Sequence, residues 1–567
     1  MIVLGIGFLS EASAALVKDG ELVAAISEER LNRRKLWYGF PEEAIAAVLE
    51  IGGISISDVD LVATHGLADP DRDRTPFEEK QQLVAASDLT ESDKQAAIEF
   101  LEKRYRHESN VVRERTPNHL ASVRSLDRPM KVYAHHHAHA ATAYYGSGWN
   151  ECLVMTADGW GEDGSHTFYL GQPQDSPDNC LTFQSSSATI DSLGYFYGSI
   201  TKALGFTPHR HEGKVLGLAA YCQNPDSYPV IRSMVDADVE RGRFVGHIER
   251  GLYLPDYNNL KLLALAQRHG REDLSSAAQK SLEEVVCELV RSRGDQARRL
   301  AVAGGIFANV KLNQRLSELD NVEEIYIFPN MGDGGLSVGA AWLAYHENTG
   351  DRPRPPRTMY LGQEVSNEEV GRVLQQGGLK YQLCNDVHGR IADLLADSHV
   401  VARFAGRMEF GPRALGHRSI LYKATEPSVN EWLNKRLERS EFMPFAPATL
   451  AEQAGDYFEK MNGSAVCAEF MTVTMDCTRK MRDEAPAAVH VDGTARPQIV
   501  HSDRHPDLHA ILTNYRDRTG LSNIINTSFN MHEEPIVCTA DDAVRAFLAG
   551  GLPYLAIGDF LVTQRGD

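Results

Sequence analysis

The sequence predicts an α/β chain of two domains. Three observations carry that prediction: its length of 567 residues, short apolar runs that end in acidic or glycine-rich turns, and a proline-rich break after residue 346. A single hydrophobic core stops growing at about 250–300 residues, so a chain of this length divides. The break, Glu347-Asn-Thr-Gly-Asp-Arg-Pro-Arg-Pro-Pro-Arg357, is polar and full of turn formers. It sets the expected domains at 1–346 and 361–567, with 347–360 as linker.

The first domain opens on Ile2–Gly7, Ala12–Val17 and Leu22–Ile26, three apolar runs parted by Ser10-Glu11 and Asp19-Gly20. They read as a strand meander with Asp-Gly as a hairpin turn. Pro41–Ile51 reads as a helix, Val59–Thr64 as a strand, and Glu78–Arg106 as a long, charged, solvated helix. Leu153–Thr156 is a strand ending in the turn Ala157-Asp158-Gly159, with Thr167–Leu170 as the next strand. A strand, an acidic or glycine turn and a second strand thus occur near residue 7 and again near residue 158. Such a doubled unit is how two half-domains hold a nucleotide between them. Leu300–Ala303 and Ile325–Phe328 are strands followed by Gly304-Gly305 and Gly332-Asp333-Gly334-Gly335. Helices follow each, from about Asn309 and over Leu336–Tyr345, as in βα units.

The formal net charge is −20. An acidic surface repels phosphate backbones, so no nucleic-acid partner is expected. Eight cysteines lie far apart with no C-x-x-C, which argues against a zinc ribbon or a disulfide scaffold and for a cytoplasmic protein. The opening Met-Ile-Val-Leu-Gly-Ile-Gly lacks a basic n-region and reads as a buried strand. No apolar run is long enough for a bilayer, so no membrane partner is expected. The expected state is a monomer or homodimer.

Four histidines fall within five residues, His135-His136-His137-Ala-His139, ahead of a small-residue helix. His135 and His139 stand four apart, on one helical face, a spacing that lets two imidazoles share a metal. No glutamate follows the first histidine as in zinc proteases, so carboxylates must come from elsewhere. Asp158 and Asp333, each in a glycine-rich turn after a strand, are the leading candidates. Glu162 and Asp163 are further ones, with solvated turn residues as their simpler reading. Nitrogen and oxygen ligands together suit Fe²⁺, Mn²⁺ or Zn²⁺ better than Ca²⁺.

Gly304 and Gly305, with Asn309, would let a nucleotide approach the backbone. Gly213-Lys214 opens an apolar helix, where a lysine can hold a phosphate. In the second domain, Arg403, Arg407, Arg413 and Arg418 punctuate one stretch with glycines at 406, 411 and 416. Arginine forks suit polyphosphate. Pro444-Phe445-Ala446-Pro447, Arg496-Pro497 and Asn526-Thr527-Ser528-Phe529-Asn530 follow.

Together these pieces resemble the O-carbamoyltransferase family of nodulation-factor, cephamycin, tobramycin and ansamycin-type enzymes. The likeness runs through His135-His136-x-Ala-His139-Ala with Ala143-Tyr144-Tyr145, Glu212-Gly213-Lys214-Val-Leu-Gly-Leu-Ala-Ala, Gly411-Pro412-Arg413-Ala-Leu-Gly-x-Arg418-Ser, Pro444–Pro447 and Asn526–Asn530. It spans almost the whole chain. It implies an N-terminal actin-like ATPase-type domain, similar to tRNA threonylcarbamoyl transferases, and a C-terminal YrdC-like domain. It implies two steps: carbamoyl phosphate and ATP give carbamoyl-adenylate and pyrophosphate in the second domain, and a hydroxyl of a small-molecule natural product takes the carbamoyl group in the first. By resemblance the metal, iron foremost with manganese or zinc as alternatives, is held by His135, His139, Asp158 and Asp333, and Mg²⁺ accompanies ATP. Arg413, Arg418, Arg439, Arg496, Asn526, Ser528 and Asn530 are then expected at ATP and carbamoyl phosphate. Lys35 and Lys214 are expected near the adenylate or acceptor.

Three departures stand out. Ser10-Glu11 replaces the family's His-Asp, leaving His209, His211 and Glu11 as candidate bases. Met443 replaces an arginine before Pro-Phe-Ala-Pro, with Arg436 or Arg439 as substitutes. His137 replaces an aliphatic residue. The competing reading is an RNA-modifying enzyme that makes threonylcarbamoyl-adenosine, which the acidic charge disfavours. A hydrogenase-maturation carbamoyltransferase would need C-x-x-C zinc fingers, absent here. A non-catalytic nucleotide sensor would leave the histidine cluster and second domain without purpose.

Overall fold

The structure, a computed structural model, describes residues 1–8, 10–66, 73–161, 164–173, 180–438, 442–461 and 463–564. It is mixed α/β throughout. The opening strands β1 (Ile2–Gly7), β2 (Ser13–Lys18) and β3 (Glu21–Ser27) join β4 (Leu61–His65) and β5 (Met130–Tyr133) in the order β3-β2-β1-β4-β5. The Asp19-Gly20 pair links β2 to β3, and two residues suffice only for an antiparallel hairpin. β4 runs parallel to both β1 and β5.

A second sheet repeats this plan. β6 (Cys152–Gly161), β7 (Gly164–Gly171), β8 (Leu181–Ser187), β11 (Arg299–Ala303) and β12 (Glu324–Ile327) run in the order β12-β11-β6-β7-β8. Between them β9 (Val235–Asp238) and β10 (Arg243–Gly246) form a separate ribbon. In each five-stranded sheet a meander of three strands is extended, on the side of its first strand, by two parallel strands. The duplication seen in the sequence near residues 7 and 158 is therefore a repeat of whole half-domains, the arrangement of actin-like folds.

The chain divides into two compact units, one of residues 1–8, 17–21 and 56–355, the other of 9–16, 22–55 and 356–567. The boundary at Pro355 lies within the proline-rich break, and the helix Leu336–Thr349 precedes it. Segment 22–55 clusters with the C-terminal residues for a visible reason. Arg33 donates to the carbonyls of Ile536 (2.7 Å) and Pro535 (2.8 Å) and pairs with Asp542. Arg30 donates to the Gly411 carbonyl at 2.7 Å.

The second unit is built on eight strands. β14 (Tyr381–Leu383), β15 (Val401–Phe404), β17 (Arg418–Lys423), β18 (Ala446–Leu450), β21 (Gln498–Val500), β22 (Asn523–Ser528), β23 (Tyr554–Ile557) and β24 (Phe560–Thr563) run in the order β14-β24-β23-β15-β17-β22-β18-β21. Ribbons β13 (Tyr360–Glu364) with β16 (Arg407–Glu409), and β19 (Met475–Asp476) with β20 (Thr494–Ala495), stand apart from it. Helices Val387–Ala396 and Pro506–Thr519 cover one face. Ile391, Leu395, Ile511 and Leu512 pack there on Val401, Leu421 and Ile524.

The charged stretch read as one solvated helix is two helices, Thr75–Ala86 and Glu91–Arg124, with Thr90 capping the second. They are not solvated all round. Phe77, Val84, Ala97 and Leu101 pack with Ile190 and Ile248. Lys80 is buried against Asp191 at 2.6 Å. A helix rich in charge still buries a face when its few apolar residues share a stripe. Among the described residues no helix is long and apolar enough to cross a membrane.

Candidate metal centre and arginine site

His135 opens the helix His135–Ser147, and His139 follows one turn later, both with no solvent exposure. Asp158 does not sit in a turn after a finished strand, as the sequence suggests. β6 continues to Gly161, and its pairing with β7 shifts register between Ala157 and Gly161. Such a bulge leaves a residue unpaired and re-aims its side chain. Asp333 begins a short 3-10 turn ahead of the helix Leu336–Thr349.

The four side chains meet. His139 Nε2 is 3.2 Å from Asp158 Oδ2 and 3.6 Å from Asp333 Oδ1. His135 Nε2 is 3.7 Å from the first and 3.6 Å from the second. One atom from each of the four lies within 4.8 Å of the others. Ligand atoms about 2.1 Å from one ion stand about 3.0–3.4 Å apart, so the spacing suits a shared divalent cation. The donor set, two imidazoles and two carboxylates, suits it too. The Asp158 carboxyl feels burial, which raises its pKa, but the two imidazoles override that and hold it well below its ordinary value.

A shell of further groups orients the cluster. His136 Nδ1 meets Thr156 Oγ1 at 2.8 Å, and Thr156 meets Thr167 at 2.6 Å. Burial, with His135 and His139 beside it, pushes the His136 pKa down to about 3, so it stays neutral. His65, at the end of β4, packs edge-on to His135 with ring centroids 5.6 Å apart and stacks on Phe8. His137 lies apart from the ligands and stacks on Tyr169. Sequence reading missed His65, which no local spacing links to residues seventy positions away.

Gly304 and Gly305 explain themselves at this centre. Gly304 has φ +110°, and a Cβ on it would stand 2.2 Å from the Ala157 carbonyl oxygen. A Cβ on Gly305 would lie 3.0 Å from Asp158 Oδ1. Only glycine lets the two segments close on the bulge. The Asn309 amide is engaged elsewhere: it caps the helix Val310–Ser317 and exchanges hydrogen bonds with Gln279.

In the second unit a buried carboxylate shapes the arginine loop. Glu409 Oε1 accepts the backbone N–H groups of Leu415 (2.8 Å), His417 (2.9 Å) and Arg418 (3.1 Å). A buried amide pair ties this loop to two strands. Gln498 donates to the Leu415 carbonyl at 2.8 Å, and Asn526 donates to Gln498 Oε1 at 2.7 Å and to the Ala414 carbonyl at 3.1 Å. Arg413 in the loop, Arg496 two residues before Gln498, and Ser528 two residues beyond Asn526 are thereby drawn from three segments towards one region.

Arg418 is spent on the fold. It has no exposure, donates to the Ala405 and Gly406 carbonyls, and lies 3.8 Å over the Phe404 ring. Burial lowers its pKa to about 10. Asn530 donates to the Met531 and Glu534 carbonyls. Arg439, Glu162 and Asp163 lie outside the described residues.

The carbamoyltransferase N-terminus family matches residues 2–342, and the carbamoyltransferase C-terminus family matches 392–564. The chain belongs to the carbamoyltransferase family. An uncharacterized protein of Synechocystis sp. is 30% identical, over 99% of this chain and 96% of its own. The nodulation protein NolNO of Sinorhizobium fredii is 30% identical, over 98% of this chain and 79% of its own. The 3′-hydroxymethylcephem-O-carbamoyltransferase of Streptomyces clavuligerus is 27% identical, over 61% of this chain and 64% of its own.

The residues expected to act on the acceptor of this carbamoyltransferase fall in different places. His209 adopts φ +65°, is exposed, and its Nε2 meets Tyr257 Oη at 2.9 Å. A Cβ on Gly159 would lie 4.0 Å from its Cε1, so its ring borders the bulge. His211 Nδ1 instead accepts the Thr207 backbone N–H at 3.1 Å. Lys214 is buried in the first turn of Glu212–Ala219. Lys35 belongs to the other unit, in segment 22–55.

Proposed function

We propose that this carbamoyltransferase is an ATP-dependent O-carbamoyltransferase acting on a hydroxyl of a small-molecule natural product. Carbamoyl phosphate, ATP and one water give carbamoyl-adenylate, pyrophosphate and inorganic phosphate in the C-terminal unit. The acceptor oxygen then attacks the carbamoyl carbon, and AMP leaves. The observation that carries the reading is the convergence of His135, His139, Asp158 and Asp333 within 4.8 Å beside the glycine-lined bulge. A divalent ion bound by these four, iron in our reading, would polarise the donor and neutralise charge on its departing phosphate.

Each residue has a role in this reading. His135 and His139 hold their ligand nitrogens on one helical face. Asp158 and Asp333 supply two negative oxygens. His209 takes the acceptor proton at its free ring nitrogen while Tyr257 holds the other, an assignment supported by its left-handed backbone at the border of the bulge. Lys214 steadies the adenylate phosphate. Arg413, Arg496 and Ser528 bind ATP and carbamoyl phosphate. Arg418, Asn526 and Asn530 hold the loops that carry them. The amide pair Gln498–Asn526 supports this by tying those loops together in a buried setting, where fixed donors act strongly on phosphate.

The test is pyrophosphate release from ATP, with and without carbamoyl phosphate and with no acceptor. Strict dependence on carbamoyl phosphate is expected. Release that instead requires threonine and bicarbonate would replace this reading with threonylcarbamoyl chemistry.

A further inference from the structure

The helix Glu91–Arg124 buries an ion pair that a solvated helix would have turned outward. Glu108 is 1% exposed and the Arg104 side chain 10%, with Arg104 Nε 2.6 Å from Glu108 Oε1. Burying such a pair costs several kcal/mol and is weak evidence for stability, so it calls for another reason. Its surroundings supply one. Glu108 also accepts the Thr189 hydroxyl at 2.7 Å. Three residues on, Ser192 Oγ donates to the Asp158 carbonyl at 3.1 Å. Three further on, Tyr195 lies under the Arg104 guanidinium, 5.4 Å from Cζ to ring centroid. The Tyr195 ring would stand 3.4 Å from a Cβ on Gly159, and Gly194 packs directly on the Gly159 backbone. One short segment, 189–195, therefore touches the ion pair on one side and the metal-binding bulge on the other.

We propose that Arg104 is an anion-binding residue of the transfer site, contacting the phosphate that departs as the carbamoyl group moves, with Glu108 as its positioning residue. Glu108 stands against Nε as an ion pair, Tyr195 shares the guanidinium, and an Nη group is the donor a phosphate would meet. In the step, the acceptor oxygen bonds to the carbamoyl carbon. The bond from that carbon to the donor's phosphate oxygen breaks, its electron pair stays on the phosphate, and the acceptor proton passes to His209. Arg104 stabilises the charge that gathers on the leaving oxygen. The proposal rests on transfer taking place beside Asp158. It holds whether the leaving phosphate is that of AMP or inorganic phosphate.

The test is calorimetric titration of AMP and of inorganic phosphate into the metal-loaded full chain, in an R413A background that silences the second unit. R104M is expected to weaken binding of the true leaving group by about 10–100-fold, and R104K and E108Q by less, because a hydrogen bond to a charged group spans that range. Donor KM should rise in otherwise intact R104M while acceptor KM stays within about twofold. Loss confined to AMP or to phosphate identifies the leaving group and supports Arg104 either way. R104K, which keeps the charge, guards against misfolding of R104M. Unchanged binding of both anions in R104M, beside an H139A variant that has lost transfer, overturns the role of Arg104 alone. Full transfer by H139A overturns the placement of the reaction as well.

Discussion

Replacing Glu409 by glutamine should loosen the arginine loop without removing any arginine. Glu409 is 3% exposed, and its Oε1 accepts three backbone N–H groups between 2.8 and 3.1 Å. A hydrogen bond to a charged group contributes about 1.5–3 kcal/mol and a neutral one about 0.5–1.5. The change from carboxylate to amide therefore removes about 1 kcal/mol per bond, or about 3 kcal/mol over the three. Oε2 is buried and makes no hydrogen bond among the described residues, so the loss is read at Oε1 alone. Amide hydrogen exchange at Leu415, His417 and Arg418 is the direct assay. A loss of about 3 kcal/mol corresponds to about a hundredfold faster exchange at those amides. E409L, which leaves three buried donors unsatisfied, should be worse. Pyrophosphate release should fall in both, since Arg413 rides on the loop. Unchanged exchange at the three amides in E409Q would refute the reasoning, whatever happened to activity.

Three other outcomes are expected. H139A should lose bound metal by elemental analysis, together with acceptor transfer, while keeping carbamoyl phosphate-dependent pyrophosphate release; loss of both half-reactions would merge the two sites. G304A should lower the melting temperature by about 5–10 °C, because a Cβ 2.2 Å from the Ala157 oxygen at φ +110° costs several kcal/mol; an unchanged melting temperature would count against the close packing on the bulge. Burial pushes the His417 pKa from 6.5 down to about 4. The unfolded chain therefore binds a proton between those values that the native chain does not. Stability should be intact above pH 6.5 and fall by up to about 3 kcal/mol as pH drops towards 4. H417N should flatten that part of the urea-midpoint profile, and an unflattened profile would assign the loss to other groups.

The convergence of His135, His139, Asp158 and Asp333 was legible because its strongest signal is local. Two histidines four residues apart share a helical face by geometry alone, and an aspartate beside glycine at a strand end already hints at a cleft. The half-domain repeat was legible for a similar reason, since each copy begins with an apolar strand and an acidic or glycine-rich break. The buried pairs of the helical insert were not. Lys80, Arg104 and Glu108 look like solvated charge until their partners Asp191, Thr189 and Tyr195 arrive from a hundred residues away. His65 escaped in the same way.

The arginine stretch shows where such reading runs out. Arg403, Arg407, Arg413 and Arg418 share one motif and invite one function, yet their surroundings divide them. Arg403 is buried and pairs with Asp507 at 2.9 Å. Arg407 donates to the carbonyls of Leu361, Gly362 and Val23. Arg418 is sunk over Phe404 with its donors turned to backbone carbonyls. The Arg407 and Arg418 guanidiniums cannot turn to a phosphate without breaking the bonds they make to backbone carbonyls, which leaves those carbonyls unsatisfied. Arg407 and Arg418 therefore set the shape of the loop, while Arg413 sits half-buried between the Gly411 carbonyl held by Arg30 and the Ala414 carbonyl held by Asn526. The repetition that made the motif conspicuous is in good part architecture, since two of its four arginines spend their donors on backbone carbonyls.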